Sequence, residues 1–169
     1  MEIMEKKSTA EAVLPGADGA TEAPFTVCFV CSGNTCRSPM AEAVLNYLGK
    51  GKYRAVSAGT SACDGDGITE NAALALERFG IPSEGSHDYL SHRARSVRYS
   101  DIAHADMIVG MTSRHTLQLI SAFPEYAEKI RTMPEEIPDP FMYGEVVYDR
   151  CLRMITKGIV ELFAVTDGE

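Results

Sequence analysis

Residues 25 to 48 run from an apolar, β-rich stretch through a short polar loop into a helical pattern. Phe25 to Val30 reads as a buried strand. Met40, Val44, Tyr47 and Leu48 recur at helical spacing and predict one apolar helix face. Ser38 followed by Pro39 reads as an N-cap with proline in the first helical position. A strand passing directly into a helix must fold that helix back onto a sheet, and the rest of the chain keeps the same alternation. Tyr53–Ser57, Asp106–Met111 and Lys129–Thr132 read as strands. Thr69–Phe79, closed by Gly80, reads as a helix, and Thr112 reads as the cap of another that runs to Ser121. Tyr148, Leu152, Ile155, Ile159 and Leu162 mark a last amphipathic helix. The expected fold is a single α/β domain with a four-stranded parallel sheet and helices on both faces.

The loop between the first strand and helix is Cys31-Ser32-Gly33-Asn34-Thr35-Cys36-Arg37. Unpaired N–H groups and the positive end of a helix make such a junction an anion site. Gly33 is the expected left-handed or closely approaching position. Arg37 offers a planar fork to phosphate oxygens. The same positive field favours a thiolate at Cys31, which can attack phosphorus. Loop N–H groups and Arg37 would stabilise the charge of in-line transfer. Asp139 stands between Pro138 and Pro140, which exclude helix and stiffen its loop. It is the candidate proton-transfer carboxyl. Glu135 and Glu136 read as solvated loop charges.

The 169 residues suffice for one domain with a real core. The net charge of −8 opposes general binding to nucleic acid or anionic membranes. No apolar run is long enough to span a bilayer. Residues 1–24 lack periodicity and read as a mobile extension without a secretory signal. Five irregularly spaced cysteines suggest no metal site and fit reduced thiols in a cytoplasmic protein. Cys28 reads as core, Cys63 as a loop residue and Cys151 as part of the last helix, all inert.

The segment Val30 to Glu42 (VCSGNTCRSPMAE) resembles the phosphate loop of the low-molecular-weight protein tyrosine phosphatase family. Pro138-Asp139-Pro140-Phe141 resembles that family's acid motif. Ser57-Ala58-Gly59, His92-Arg93-Ala94-Arg95 and Met107 to Thr112 are weaker echoes. The resemblance covers about Thr26 to Phe163 and implies a phosphatase domain over residues 25–166 with the phosphotyrosine protein phosphatase I-like, Rossmann-like fold. It implies Cys31 as nucleophile, Arg37 as phosphate clamp and Asp139 as general acid and then base. Ser32, Gly33, Asn34, Thr35, Cys36 and Ser38 would complete the phosphate site, with Ser38 hydrogen-bonded to the thiolate. Asn34 would hold the loop shape with His92 as partner. Cys36 matches a cysteine that in family members forms a reversible disulfide with the nucleophile. No metal or cofactor is implied. The implied partners are phosphorylated proteins and free oxyanions, for a monomer or weak dimer.

The leaving group is less constrained. The loop Thr60-Ser61-Ala62-Cys63-Asp64 lacks the aromatic that many tyrosine-specific relatives carry there. Phe141 can supply one wall, and Tyr89 or Tyr143 are further candidates. Thr35 matches the bacterial protein-arginine phosphatase branch, and its hydroxyl suits a guanidinium. Phosphotyrosine and phosphoarginine therefore both stand as substrate expectations. A thiol-based arsenate reductase of the same fold would need a downstream cysteine relay that Cys63 and Cys151 do not form. A silent phosphoprotein-binding module would be expected to lack Cys31 or Asp139.

Overall fold

The computed structural model describes residues 22–167. Four strands, β1 (Phe25–Cys31), β2 (Tyr53–Gly59), β3 (Met107–Gly110) and β4 (Ile130–Thr132), form one sheet in the order β2-β1-β3-β4. Every pairing is parallel. Five α-helices connect or follow them: α1 (Arg37–Leu48), α2 (Glu70–Phe79), α3 (Tyr99–His104), α4 (Ser113–Ala122) and α5 (Glu145–Phe163).

Strand β1 explains the two-sided architecture. Val27, Phe29 and Cys31 face a core that also holds Met40, Val44, Leu76, Leu152, Ile155 and Phe163 from α1, α2 and α5. Cys28 and Val30 face the opposite core, with Ile102 of α3 and Leu119 of α4. Side chains alternate along a strand, so covering both faces demands an unbroken apolar run. Val27 to Val30 are indeed fully buried. The chain pairs β2 on one side of β1 and β3 on the other. The carboxyl end of β1 is thus a topological switch point, where open α/β sheets leave a crevice.

Expected caps are present on two helices. Gly80 closes α2 in the left-handed region at φ 93°, while Thr69, read as the first helical residue, stands before the helix as its N-cap and accepts from the Ala72 N–H. Thr112 accepts from the His115 N–H at the start of α4.

Several expectations change. Helix α1 begins at Arg37, and its N-cap residue Cys36 makes no side-chain cap bond. Ser38 is therefore inside the first turn, and its hydroxyl is committed to Cys31 and Asn34. Asn34, not Gly33, takes the left-handed conformation, at φ 56°. Its short polar side chain tolerates that region and hydrogen-bonds nearby. Helix α1 is not amphipathic in the simple sense: ten of its twelve residues are buried, while Tyr47 is exposed. It lies between β2 and the α2–α5 layer, so most of its circumference meets protein. Helix α3 escaped the periodicity reading because it has only six residues. Its start is held by the Asp101 carboxylate, which accepts from the Arg98 N–H at 2.8 Å.

Strand β2 runs to Gly59, two residues beyond expectation. A Cβ at Gly59 would stand 2.5 Å from the Ser32 carbonyl oxygen, so glycine is what lets the Cys31 loop lie against β2. The extension expected for residues 1–24 falls outside the described residues up to 21, and residues 22–24 are exposed and without regular structure. Among the described residues no helix is long and apolar enough to cross a membrane.

Candidate active site

Strand β1 ends at Cys31, and the loop then turns into α1 at Arg37. Cys31 is buried. Its Sγ lies 2.9 Å from Ser38 Oγ, and the Asn34 N–H points to it at 3.3 Å.

Asn34 ties this loop together and is fully buried. Its Oδ1 accepts from the Arg95 N–H at 3.0 Å, which fixes the amide orientation. Its Nδ2 then donates to Ser38 Oγ at 2.9 Å and Ser57 Oγ at 3.0 Å. Ser38 Oγ accepts from Asn34, so its own proton is free for the Cys31 sulfur. The Asn34 carbonyl accepts from His92 Nε2 at 2.7 Å, which places the His92 proton on Nε2. This is the expected Asn34–His92 partnership.

Behind Asn34, Ser57 donates to the Glu42 carboxylate. Burial pushes the Glu42 carboxyl above its ordinary value, against the lowering effects of Ser57, His92 and Arg95. The chain Glu42–Ser57–Asn34–Ser38–Cys31 is continuous. A backside cavity of about 320 Å³ is lined by Glu42, Ser57, His92 and Tyr89, among others.

The side facing solvent is a smaller cleft of about 160 Å³, lined by Cys31, Gly33, Asn34, Thr35, Cys36, Arg37, Asp139 and Phe141. Arg37 is buried and donates to the Ile137 carbonyl at 3.0 Å. Ile137 is itself fixed to β3's end by donating its N–H to the Met111 carbonyl. Two residues on, Asp139 stands at the rim with its side chain 55 % exposed and Oδ2 3.7 Å from Arg37 Nη2. Its Oδ1 accepts from the Phe141 N–H at 3.1 Å, which sets the carboxylate and the aromatic wall together.

Cys31, Arg37, Asp139, Thr35 and Phe141 thus line one cleft. Tyr89 and Tyr143 do not line the cleft. Tyr89 is buried with its hydroxyl on the Ile81 carbonyl, and Tyr143 is exposed farther along the loop. Ser32 turns its side chain away from the cleft and meets His115 Nε2 at 2.9 Å. Cys36 Sγ sits 3.3 Å from Tyr148 OH and 3.4 Å from Thr69 Oγ1. Desolvation and the Cys36 contact push the Tyr148 phenol up to about 12. Glu136 accepts from the Ser113 N–H and Glu135 pairs with Lys157, so both carboxylates are engaged away from the cleft. Cys63 is exposed, whereas Cys28 and Cys151 are buried thiols raised to about 12 by desolvation.

The residues missed from sequence are Glu42, Ser57, Arg95, Ile137 and His115. Each acts through a partner distant along the chain, so no local pattern marks it. Glu42, Ser57 and Arg95 lie inside segments that resemble the family; Ile137 and His115 do not fall on a motif that pointed to them.

A sequence profile described as low molecular weight phosphotyrosine protein phosphatase matches residues 26–168. The chain belongs to this family. Among its relatives is a protein-arginine-phosphatase from Geobacillus stearothermophilus, 33 % identical over 125 residues, 70 % of this chain and 80 % of the relative. A low molecular weight protein-tyrosine-phosphatase from Streptomyces coelicolor is 31 % identical and covers 83 % of this chain and 92 % of its own. Solved structures of this phosphatase family align equally well with both branches. The tyrosine phosphatase from T. tengcongensis superposes with a TM-score of 0.76 at 34 % identity, covering 83 % of this chain and 98 % of that one. The arginine phosphatase from Geobacillus stearothermophilus gives 0.75 at 31 % identity, covering 83 % and 92 %. The chain is therefore a cysteine-dependent phosphatase of this family, with its tyrosine or arginine preference left to the cleft.

Proposed function

We propose that this phosphatase removes phosphate from phosphoarginine side chains of proteins. The wall of the cleft carries that reading. Among the described residues, the cleft around Cys31 is lined by one side-chain hydroxyl, Thr35, one carboxyl, Asp139, and one aromatic, Phe141. A guanidinium presents several N–H donors and needs oxygen acceptors, which the Thr35 hydroxyl and the Asp139 carboxyl can supply. A phenol ring needs apolar walls on both faces, and Phe141 offers one.

In the proposed mechanism the Cys31 thiolate attacks phosphorus in line. The S–P bond forms as the P–N bond breaks, and Asp139 delivers its proton to the departing guanidine nitrogen. Arg37 and the loop N–H groups hold the three equatorial oxygens throughout. The ionised Asp139 then takes a proton from water, whose oxygen bonds to phosphorus as the S–P bond breaks. Phosphate leaves and the Cys31 thiolate returns, held by Ser38. Ser32, Gly33, Asn34 and Cys36 supply backbone to the phosphate site, and His92 keeps the loop in shape.

The half-exposed Phe141 ring keeps phosphotyrosine as the second reading, since it can stack on one face of a phenol. Phosphate release from a phosphoarginine protein and a phosphotyrosine peptide, compared side by side, separates the two. A preference above about tenfold for phosphoarginine is expected, with Thr35→Ile reducing it. Equal or greater turnover of phosphotyrosine would overturn the assignment.

Cys36 gives the same site a proposed redox protection. Peroxide would convert the Cys31 thiolate to a sulfenic acid, and Cys36 would condense with it, releasing water and forming a disulfide. Peroxide-treated enzyme is then expected to regain activity with a dithiol, while Cys36→Ser does not. Equal recovery of both would remove that role. The free thiols of this chain fit a cytoplasmic setting.

A further inference from the structure

His115 lies at the start of α4 and is 3 % exposed. Both ring nitrogens are committed. Nδ1 lies 2.9 Å from Thr112 Oγ1, and Nε2 lies 2.9 Å from Ser32 Oγ. Thr112 Oγ1 already accepts the His115 backbone N–H at 3.4 Å. Each hydroxyl can donate or accept, so the ring bridges Thr112 and Ser32 in either tautomer. Burial, with Arg37 and Arg114 adding to it, lowers the imidazole to about 4, so it is neutral and has one proton to place.

Ser32 directly follows Cys31, and its hydroxyl does not line the cleft. On the opposite flank the same stretch is held by Asn34, whose partners are Ser57, His92 and Arg95. The Ser32 carbonyl also accepts the Ser61 N–H at 3.0 Å. Ser32 is otherwise free on the α4 side. From this geometry we infer that His115 is a positioning residue: it pins Ser32 to α4 and so holds the Ser32–Gly33 backbone in the phosphate-binding shape. Two struts, Asn34 toward β2 and His115 toward α4, then hold the loop from two sides. The inference rests on Cys31 being the phosphate site, but not on which phosphorylated side chain enters it. A hydrogen bond to a buried ring, not to water, holds the loop backbone in one shape.

The test is a double-mutant cycle on His115→Ala and Ser32→Ala, with His115→Gln as the conservative variant. Affinity for inorganic phosphate by calorimetry and kcat/KM on para-nitrophenyl phosphate are the readouts, with Tm recorded beside them. Each single alanine variant is expected to lower phosphate affinity and kcat/KM about tenfold, as a small misplacement of binding groups does. The double variant should be no worse than either single one, and His115→Gln should recover to within about threefold by bonding Ser32 through its amide. Multiplicative losses in the double variant, or wild-type phosphate affinity in Ser32→Ala, would overturn the strut. If His115→Ala does not fold, Ser32→Ala and His115→Gln decide: a loss in the first with recovery in the second supports the strut, and any other pair of results overturns it. Should the wild-type chain turn over no phosphate ester, the proposed function fails, and phosphate affinity alone still decides the role of His115.

Discussion

Cys31→Ser is expected to lose phosphatase activity by a factor of about 10⁴ or more while still binding inorganic phosphate. Serine is nearly isosteric, and Ser38 and the Asn34 N–H keep their places around the substituted atom. Arg37 stays anchored on Ile137, so the anion site survives. What disappears is the thiolate. A serine hydroxyl at this position stays protonated at neutral pH and is a far weaker nucleophile. Phosphate release and calorimetric phosphate binding, measured on the same preparation, check this. Residual activity above about one per cent would assign the nucleophile elsewhere.

Asp139→Asn is expected to act on two steps, and the leaving group separates them. The asparagine oxygen can still accept the Phe141 N–H, so the rim keeps its shape. With a substrate whose leaving group needs a proton, kcat/KM should fall about 10²- to 10³-fold. With para-nitrophenyl phosphate, whose phenolate leaves unaided, kcat/KM should change far less. Turnover should nevertheless fall for both, because water attack on phosphorus loses its base. A burst of nitrophenol followed by a slow steady state is the kinetic sign. Equal kcat/KM losses for both leaving groups would make Asp139 a binding residue and not the acid.

The parts of this enzyme that sequence reading reaches are those written in one local stretch. The strand–loop–helix around Cys31 is such a stretch, and its phosphate chemistry follows from residue type and order. Asp139 is legible because two prolines isolate it. The supporting network is not legible, because its bonds close over long separations. Ser32 and His115 are 83 residues apart, and Asn34 meets Arg95 across 61. Local rules also misassign shared residues. Ser38 has the look of a cap, yet the sulfur and the Asn34 amide claim its hydroxyl. Gly33 looks like the flexible point, but Asn34 takes the left-handed turn because its side chain is needed at that spot by three partners. Functional loops are where local preference yields to geometry.

The most direct measurement is a rapid quench of Asp139→Asn with para-nitrophenyl phosphate, followed by proteolysis and mass analysis of the peptide carrying Cys31. One phosphoryl group on Cys31 is expected, formed within the burst and unchanged in a Cys36→Ser background. A burst with no phosphoryl group on Cys31, or with the group on another residue, would contradict covalent catalysis by this cysteine.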